Sequence, residues 1–173
     1  MLSPLLRSSS AELAIALLGI TCVGARPAYD VAQRFALPNG VVVVLESDAT
    51  AELAVVMLGV RAGVLDEPEG RNGLAHLSEH LFLHGGTESA PAGEAFAKLV
   101  EGGVSGQPFA DVNAETLPEL TYFYALRRPN DVSLPLRLFA EKLGGVGFDA
   151  ELLEVERAKA LGEIEGVERM LEG

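Results

Sequence analysis

The chain has 173 residues, a formal net charge of −12 and 49% hydrophobic residues, with one Cys and no Trp. This length supports one domain with a hydrophobic core, and the composition excludes a disordered chain. The 25 acidic against 13 basic residues argue against a nucleic-acid partner, which requires a basic face, and against an anionic membrane surface. No apolar run reaches the roughly 18–20 residues that cross a bilayer, so we expect no transmembrane span.

The N-terminus has the composition of a secretory signal peptide. Arg7 gives a positive start, residues 13–23 are almost continuously apolar, and small residues ending at Ala25 suit signal peptidase. We therefore predict a leader at residues 1–25 and a mature domain at residues 26–173. The protein is then expected to be secreted or periplasmic.

Two other interpretations of this region are open. Residues 11–18 are also compatible with a buried N-terminal helix. Lipoprotein anchoring at Cys22 is disfavoured because Ile20 and Thr21 are the wrong residues before it. Loss of the leader would remove the only Cys, and with it disulfides and thiolate chemistry.

The rest of the chain alternates pairs of strands with pairs of helices. β-branched runs predict the strands, and apolar spacing closed by Gly predicts the helices. Asn39-Gly40 is a turn that leads into the first strand, and Asn130 or Asp131 is expected to cap the third helix. In chain order, the predictions are strands at 41–45 and 53–61, helices at 73–83 and 91–100, strands at 113–116 and 120–126, and helices at 130–143 and 149–172. This order predicts an α+β fold, with a mostly antiparallel sheet and helices packed on one face.

The first predicted helix carries the residues with the clearest chemistry. His76 and His80 are four apart, so both imidazoles lie on one face and can reach one metal ion. Glu79 borders the same site and could take a proton from a water. The alternative is that the two histidines are solvated surface residues without a metal, because so short a motif also arises by chance. His84 is expected in the following loop rather than as a ligand.

The surroundings of this motif resemble the N-terminal domain of the M16 (pitrilysin or insulinase-like) metallopeptidases, the inverted zincins. The resemblance runs from about residue 34 to the end of the chain. The matching segments are Leu37-Pro-Asn-Gly40, Val60-Arg-Ala-Gly63, Gly73-Leu-Ala-His-Leu-Ser-Glu-His80, Gly86-Thr87, Asn113-Ala114, Thr121-Tyr-Phe-Tyr124 and the acidic last helix.

The resemblance implies that His76 and His80 bind zinc (Zn²⁺), that Glu79 is the general base, and that a later Glu is the third ligand. Glu156 and Glu163 are the candidates, two helical turns apart. The family's usual spacer favours Glu156, whereas the local sequence around Glu163 resembles the ligand's turn. We expect Glu163 to be the ligand and Glu156 to orient it or a His. Solvated acidic side chains are the alternative for both.

The resemblance also implies how a peptide would bind. Asn113, Ala114 and Glu115 fall where the family presents an edge strand to its substrate, which adds as a further strand. An ordinary edge strand is the alternative. Family enzymes have a second related domain that helps to position the peptide, so this chain is expected to be a partial N-terminal domain.

Three functions therefore stay open. The first is a zinc endopeptidase domain in which Glu79 moves the proton. The second is a non-catalytic zinc-binding half that acts only with a partner M16-like subunit or with the missing C-terminal domain. The third is an acidic structural domain that binds no metal.

Overall fold

The computed structural model describes residues 13–18, 32–107 and 110–171. Two short 3₁₀ turns, Val64–Asp66 and Pro129–Asp131, accompany the regular elements. In chain order these are β1 (Leu13–Leu18), β2 (Gln33–Ala36), β3 (Val42–Leu45), β4 (Ala54–Val60), α1 (Leu74–His84), α2 (Glu94–Glu101), β5 (Val112–Thr116), β6 (Thr121–Arg127), α3 (Ser133–Gly144) and α4 (Ala150–Leu171).

Within the described residues, the strands form one six-stranded sheet in the order β2-β3-β1-β4-β6-β5. Four of the neighbouring pairs are antiparallel, and only β1 and β3 run parallel. The predicted α+β fold with a mostly antiparallel sheet is confirmed. β5 ends the sheet, so one of its edges is left without a strand among the described residues.

The sheet contains a strand that sequence analysis missed. β2 pairs with β3, and Asn39-Gly40 forms the tight turn between them. Gly40 has a φ of +88°, which glycine adopts without steric cost, and the Asn39 side chain accepts the Val41 N–H at 3.2 Å. β2 has only four residues, all exposed, so it shows no alternation of apolar and polar side chains.

The N-terminal segment supplies a central strand. β1 pairs with β3 on one side and with β4 on the other. The alternative of a helix at residues 11–18 is therefore wrong for 13–18, because their backbone is extended and pairs with both neighbours. The remainder of residues 1–25 lies outside the described residues, and the leader stays a prediction.

The core lies between the helices and one face of the sheet. Along β6 burial alternates, so that Phe123 and Ala125 point inward opposite Leu58 and Val56 of β4. The Phe82 ring of α1 packs on Phe123, with 4.1 Å between ring centroids. The helices thus cover this face, as predicted. Their buried apolar side chains include Leu83 from α1, Ala95 and Leu99 from α2, and Leu138 and Phe139 from α3.

The starts of the last two helices differ from each other. Asp149 caps α4 by accepting the Leu152 N–H at 2.8 Å. The predicted cap of α3 by Asn130 or Asp131 is wrong, because both lie in the 3₁₀ turn that begins at Pro129, and α3 starts after Val132 without a side-chain cap. Among the described residues, none of the helices is both long and apolar enough to cross a membrane.

Candidate metal centre

The N-terminus of α1 is held by a carboxylate from the preceding loop. Glu67 accepts the backbone N–H of Gly73 at 3.0 Å and that of Ala75 at 2.8 Å. These groups have no partners within the helix, and a negative charge here complements the helix dipole. Gly73 itself has a φ of +87° and no side chain to serve as a cap. The sequence did not identify this role of Glu67.

The C-terminus of α1 is held by a buried lysine from α3. Lys142 donates to the carbonyl of Leu83 at 3.3 Å and to that of Gly85 at 2.7 Å. Burial lowers the pKa of Lys142 to about 8. An acidic group at one end and a basic group at the other therefore fix α1 and the residues it carries.

Three ligand atoms converge on one point between α1 and α4. The Nε2 atoms of His76 and His80 lie 3.2 Å apart. Glu163 Oε2 lies 3.3 Å from the first and 3.5 Å from the second. Glu163 is half-exposed, whereas His80 is buried. The two histidines and the preferred carboxylate are thus brought together across two elements distant in sequence.

These separations fit a tetrahedral metal ion. Zinc binds His nitrogen and carboxylate oxygen at about 2.0–2.2 Å, which places neighbouring ligand atoms about 3.3–3.6 Å apart in a tetrahedron. The donor set is chemically apt, since two imidazoles and one carboxylate with an open fourth position are typical of catalytic zinc sites. The residues present therefore fit the metal that the resemblance implies.

Glu156 contacts the opposite nitrogen of His80. Its Oε2 lies 3.2 Å from His80 Nδ1, so Nδ1 carries the hydrogen and Nε2 keeps its lone pair for a metal. Lys159 donates to Glu156 Oε1 at 2.7 Å. Burial would raise the pKa of Glu156, but the hydrogen bonds from Lys159 and His80 and the nearby His84 outweigh it and lower that pKa. The expected orienting role of Glu156 is consistent with this geometry.

His84 lies elsewhere than expected. It is the last residue of α1 and not a loop residue, because α1 extends one residue beyond its predicted end and stops before Gly85. Its Nδ1 lies 3.1 Å from Glu156 Oε2 and 3.2 Å from the carbonyl oxygen of His80. Burial is the main cause of the lowered pKa of His84. The spacing of four residues after His80 was the signal that could have predicted this position.

Glu79 is held beside the candidate metal ligands by the edge strand. Its Oε2 accepts a 2.5 Å hydrogen bond from the hydroxyl of Thr116, the last residue of β5. Glu79 is largely buried, at 8% exposure. Thr116 was not predicted as a site residue, since nothing in the local sequence indicates that β5 packs against α1.

An open cleft of about 960 Å³ runs past these residues. One wall includes His76, Glu79 and Glu163, and another is the strand β5, including Asn113, Ala114 and Glu115. The carboxylate of Glu115 accepts a hydrogen bond from the Tyr122 hydroxyl. The predicted peptide-contacting residues and the predicted metal ligands therefore line one cleft.

The register of β5 shows which backbone groups face the cleft edge. The Leu126 N–H donates to the Asp111 carbonyl at 2.7 Å, and Asn113 lies opposite Tyr124. Hydrogen-bonded pairs alternate along antiparallel strands, so the backbone of Asn113 faces β6 and that of Ala114 faces outward.

Residues 42–172 match the family model of insulinase, peptidase family M16. The chain belongs to peptidase family M16. That match covers both histidines, the carboxylates on α4 and the whole of β5. The converging residues therefore lie within the part of the chain that matches a metallopeptidase family, as the resemblance indicated.

Individual relatives agree with this assignment. The chain is 29% identical over 136 residues to the mitochondrial-processing peptidase subunit beta of Blastocladiella emersonii, covering 79% of the chain and 28% of that protein. The crystal structure of pitrilysin matches with a TM-score of 0.62 and 30% sequence identity, and the match covers 82% of this chain and 15% of pitrilysin. A protease from Helicobacter pylori gives 28% identity and a TM-score of 0.63, covering 76% and 29%. This M16 chain thus spans less than a third of the length of the relatives it matches.

Proposed function

We propose that this chain is the zinc-binding domain of an M16 endopeptidase that hydrolyses peptide bonds. His76, His80 and Glu163 would hold the zinc ion, Glu79 would be the general base, and Glu156 would orient His80. One observation carries the proposal: two imidazole nitrogens and a carboxylate oxygen lie 3.2–3.5 Å apart in the cleft that Glu79 also lines.

When bound, zinc supplies Lewis-acid chemistry, which lowers the pKa of a water and polarises a carbonyl. Glu79 takes the proton released from the water and returns it to the nitrogen of the departing amine. Thr116 donates to one oxygen of this carboxylate, Glu79 Oε2. The short bond to Thr116 holds the carboxylate in one orientation for this transfer.

The substrate would be a peptide in extended conformation. The edge of β5 that pairs with no described strand offers the outward backbone groups of Ala114, in the cleft that the ligand cluster also lines. The Ala114 N–H donates to Asn113 Oδ1 at 2.9 Å, and an incoming peptide carbonyl would displace that contact. A peptide that adds to this edge would bind through its backbone and lie alongside Glu79. Asn113 and Glu115 would then contact it by their exposed side chains.

A second function has specific support. One relative of this chain is a peptidase subunit by its description, so the second candidate is a zinc-binding half that turns over only with a partner M16-like subunit or a C-terminal domain. In that case the zinc site forms and the isolated chain does not cleave peptides.

A secreted or periplasmic location is proposed from the leader-like residues 1–25.

The test is a comparison of wild type with Glu79→Gln, assayed for zinc content and for cleavage of an unstructured peptide. We expect Glu79→Gln to retain zinc and to lose hydrolysis by at least about 100-fold. Glu154→Gln is the matched control, since Glu154 pairs with Arg157 on the exposed surface of α4. Zinc binding with no wild-type hydrolysis would select the non-catalytic half, and no zinc in folded protein would refute both proposals.

A further inference from the structure

We propose that His84 is a positioning residue of the metal centre, which holds Glu156 in the orientation that fixes His80. The inference rests on the proposed zinc site and extends it by one residue. His84 continues the spacing of His76 and His80 by one more helical turn, so three imidazoles follow each other along one face of α1.

The contacts of His84 define its protonation. Nδ1 faces two acceptors, Glu156 Oε2 at 3.1 Å and the His80 carbonyl oxygen at 3.2 Å. A nitrogen between two acceptors must carry a hydrogen, so His84 donates from Nδ1. The same carboxylate oxygen accepts from His80 Nδ1, and the two imidazoles therefore share one acceptor atom.

A hydrogen bond from His84 to the Glu156 carboxylate would be hard to replace if it were lost. Glu156 is only 1% exposed, so water cannot readily replace a lost hydrogen bond. Lys159 occupies the other oxygen, Oε1. Without His84, Oε2 would keep a single donor, and the carboxylate and the His80 ring would lose an orienting contact.

The ring of His84 is itself fixed from the second helix. Phe96 of α2 packs edge-on against it, with ring centroids 4.7 Å apart and planes at 68°. His84 therefore joins α2 to the carboxylate that orients a proposed ligand. The side chain of His84 is itself partly buried, with 25% of its surface exposed.

His80, His84 and Glu156 could alternatively hold a second metal ion, because their ligand atoms lie within 4.8 Å of one another. We favour hydrogen bonding because Lys159 already neutralises Glu156. A metal ion at this second position would bind His80 through Nδ1, which would then have to lose its hydrogen. The other nitrogen of the same ring, Nε2, already faces the first site.

The experiment measures zinc dissociation constants by chelator competition for wild type, His84→Phe and His84→Asn. Phe keeps a ring against Phe96 and removes the donor, whereas the Asn amide restores a donor near the Nδ1 position. We expect His84→Phe to weaken zinc binding by about 10-fold, the lower end for partners of metal ligands, and His84→Asn to recover most of the loss. A merely structural role would not be rescued by Asn, and unfolding of the metal-free variants monitors that role.

A double-mutant cycle with Glu156→Gln gives the decisive outcome. If His84 acts through Glu156, His84→Phe has little further effect on zinc affinity in the Glu156→Gln background. Equal effects in both backgrounds, an unchanged affinity in His84→Phe, or two zinc ions per wild-type chain would overturn the inference and leave the proposed zinc site standing. Wild type that binds no zinc would refute both.

Discussion

Glu156 and Glu163, two turns apart on α4, contact opposite nitrogens of a single imidazole. Glu163 Oε2 lies 3.5 Å from His80 Nε2, and Glu156 Oε2 lies 3.2 Å from His80 Nδ1. The half-exposed carboxylate faces the cleft, whereas the buried one faces the protein interior. The two carboxylates therefore differ in the side of the ring that they contact, although both are glutamates on the same helix.

Substitution of the two carboxylates should separate these roles. Glu163→Gln should abolish stoichiometric zinc binding, because it removes a charged ligand. Glu156→Gln should leave one zinc per chain with affinity weakened by about 10- to 100-fold, since it disturbs only the orientation of His80. Metal analysis and chelator competition measure both, and loss of zinc in Glu156→Gln but not in Glu163→Gln would reverse the assignment.

The hydrogen bond from Thr116 to Glu79 should affect catalysis and leave metal binding intact. Thr116→Val keeps the shape of the side chain and removes the donor to a buried carboxylate. In the peptide-cleaving protein we expect kcat to fall by about 10-fold or more, as hydrogen bonds to charged groups are among the stronger ones. Thr116→Ser is the control and should retain activity. Equal kcat values for Val and Ser would show that this bond does not position Glu79.

The free edge of β5 should be sensitive to proline at one position. Ala114→Pro removes an outward-facing N–H, which donates to Asn113 Oδ1 in the peptide-free protein, without breaking the ladder to β6. In a zinc-loaded Glu79→Gln background, we expect it to weaken peptide binding by roughly 3- to 10-fold, the effect of one hydrogen bond. Ala114→Ser keeps the N–H and is the control. Calorimetric titration with a peptide measures both, and identical affinities would exclude strand addition at Ala114.

The buried Lys142 should make stability depend on pH in the alkaline range. Its pKa is about 8 in the folded protein and 10.5 without burial, so between these values the unfolded chain binds more protons. The free energy of unfolding should therefore rise with pH across this window, relative to Lys142→Met, and show no such slope below about pH 8. Urea unfolding of both proteins from pH 7 to 10 tests this, and parallel curves would contradict it.

A cleaved leader and a retained β1 strand at the N-terminus predict different mature proteins. If residues 1–25 are a leader, mass spectrometry of the exported protein should find Arg26 at its start. That protein would lack β1, and β3 and β4 would lose the strand that joins them. An exported protein that retains residues 1–25 would contradict the leader and leave β1 in the sheet.

Local pattern predicted most elements because their signals are local. The valine run of β3 and the apolar spacing of α1 depend on neighbours a few residues away, so the predicted bounds fall close to those observed. β2 was missed because four exposed residues carry no periodicity. The cap of α3 was misplaced because Pro129 begins a 3₁₀ turn before the helix.

By itself the sequence determined the α+β order of elements, the pairing of His76 with His80 on one helix face, and the adjacent Glu79. Helical periodicity suffices for these, since it relates residues one turn apart. Only the tertiary structure decided which oxygen atoms lie beside these side chains. Glu163 and Glu156 come from α4 and Thr116 from β5, and the distances that separate their roles arise when α1 packs between these elements. Those contacts depend on the packing of distant segments, which leaves no local pattern in the sequence.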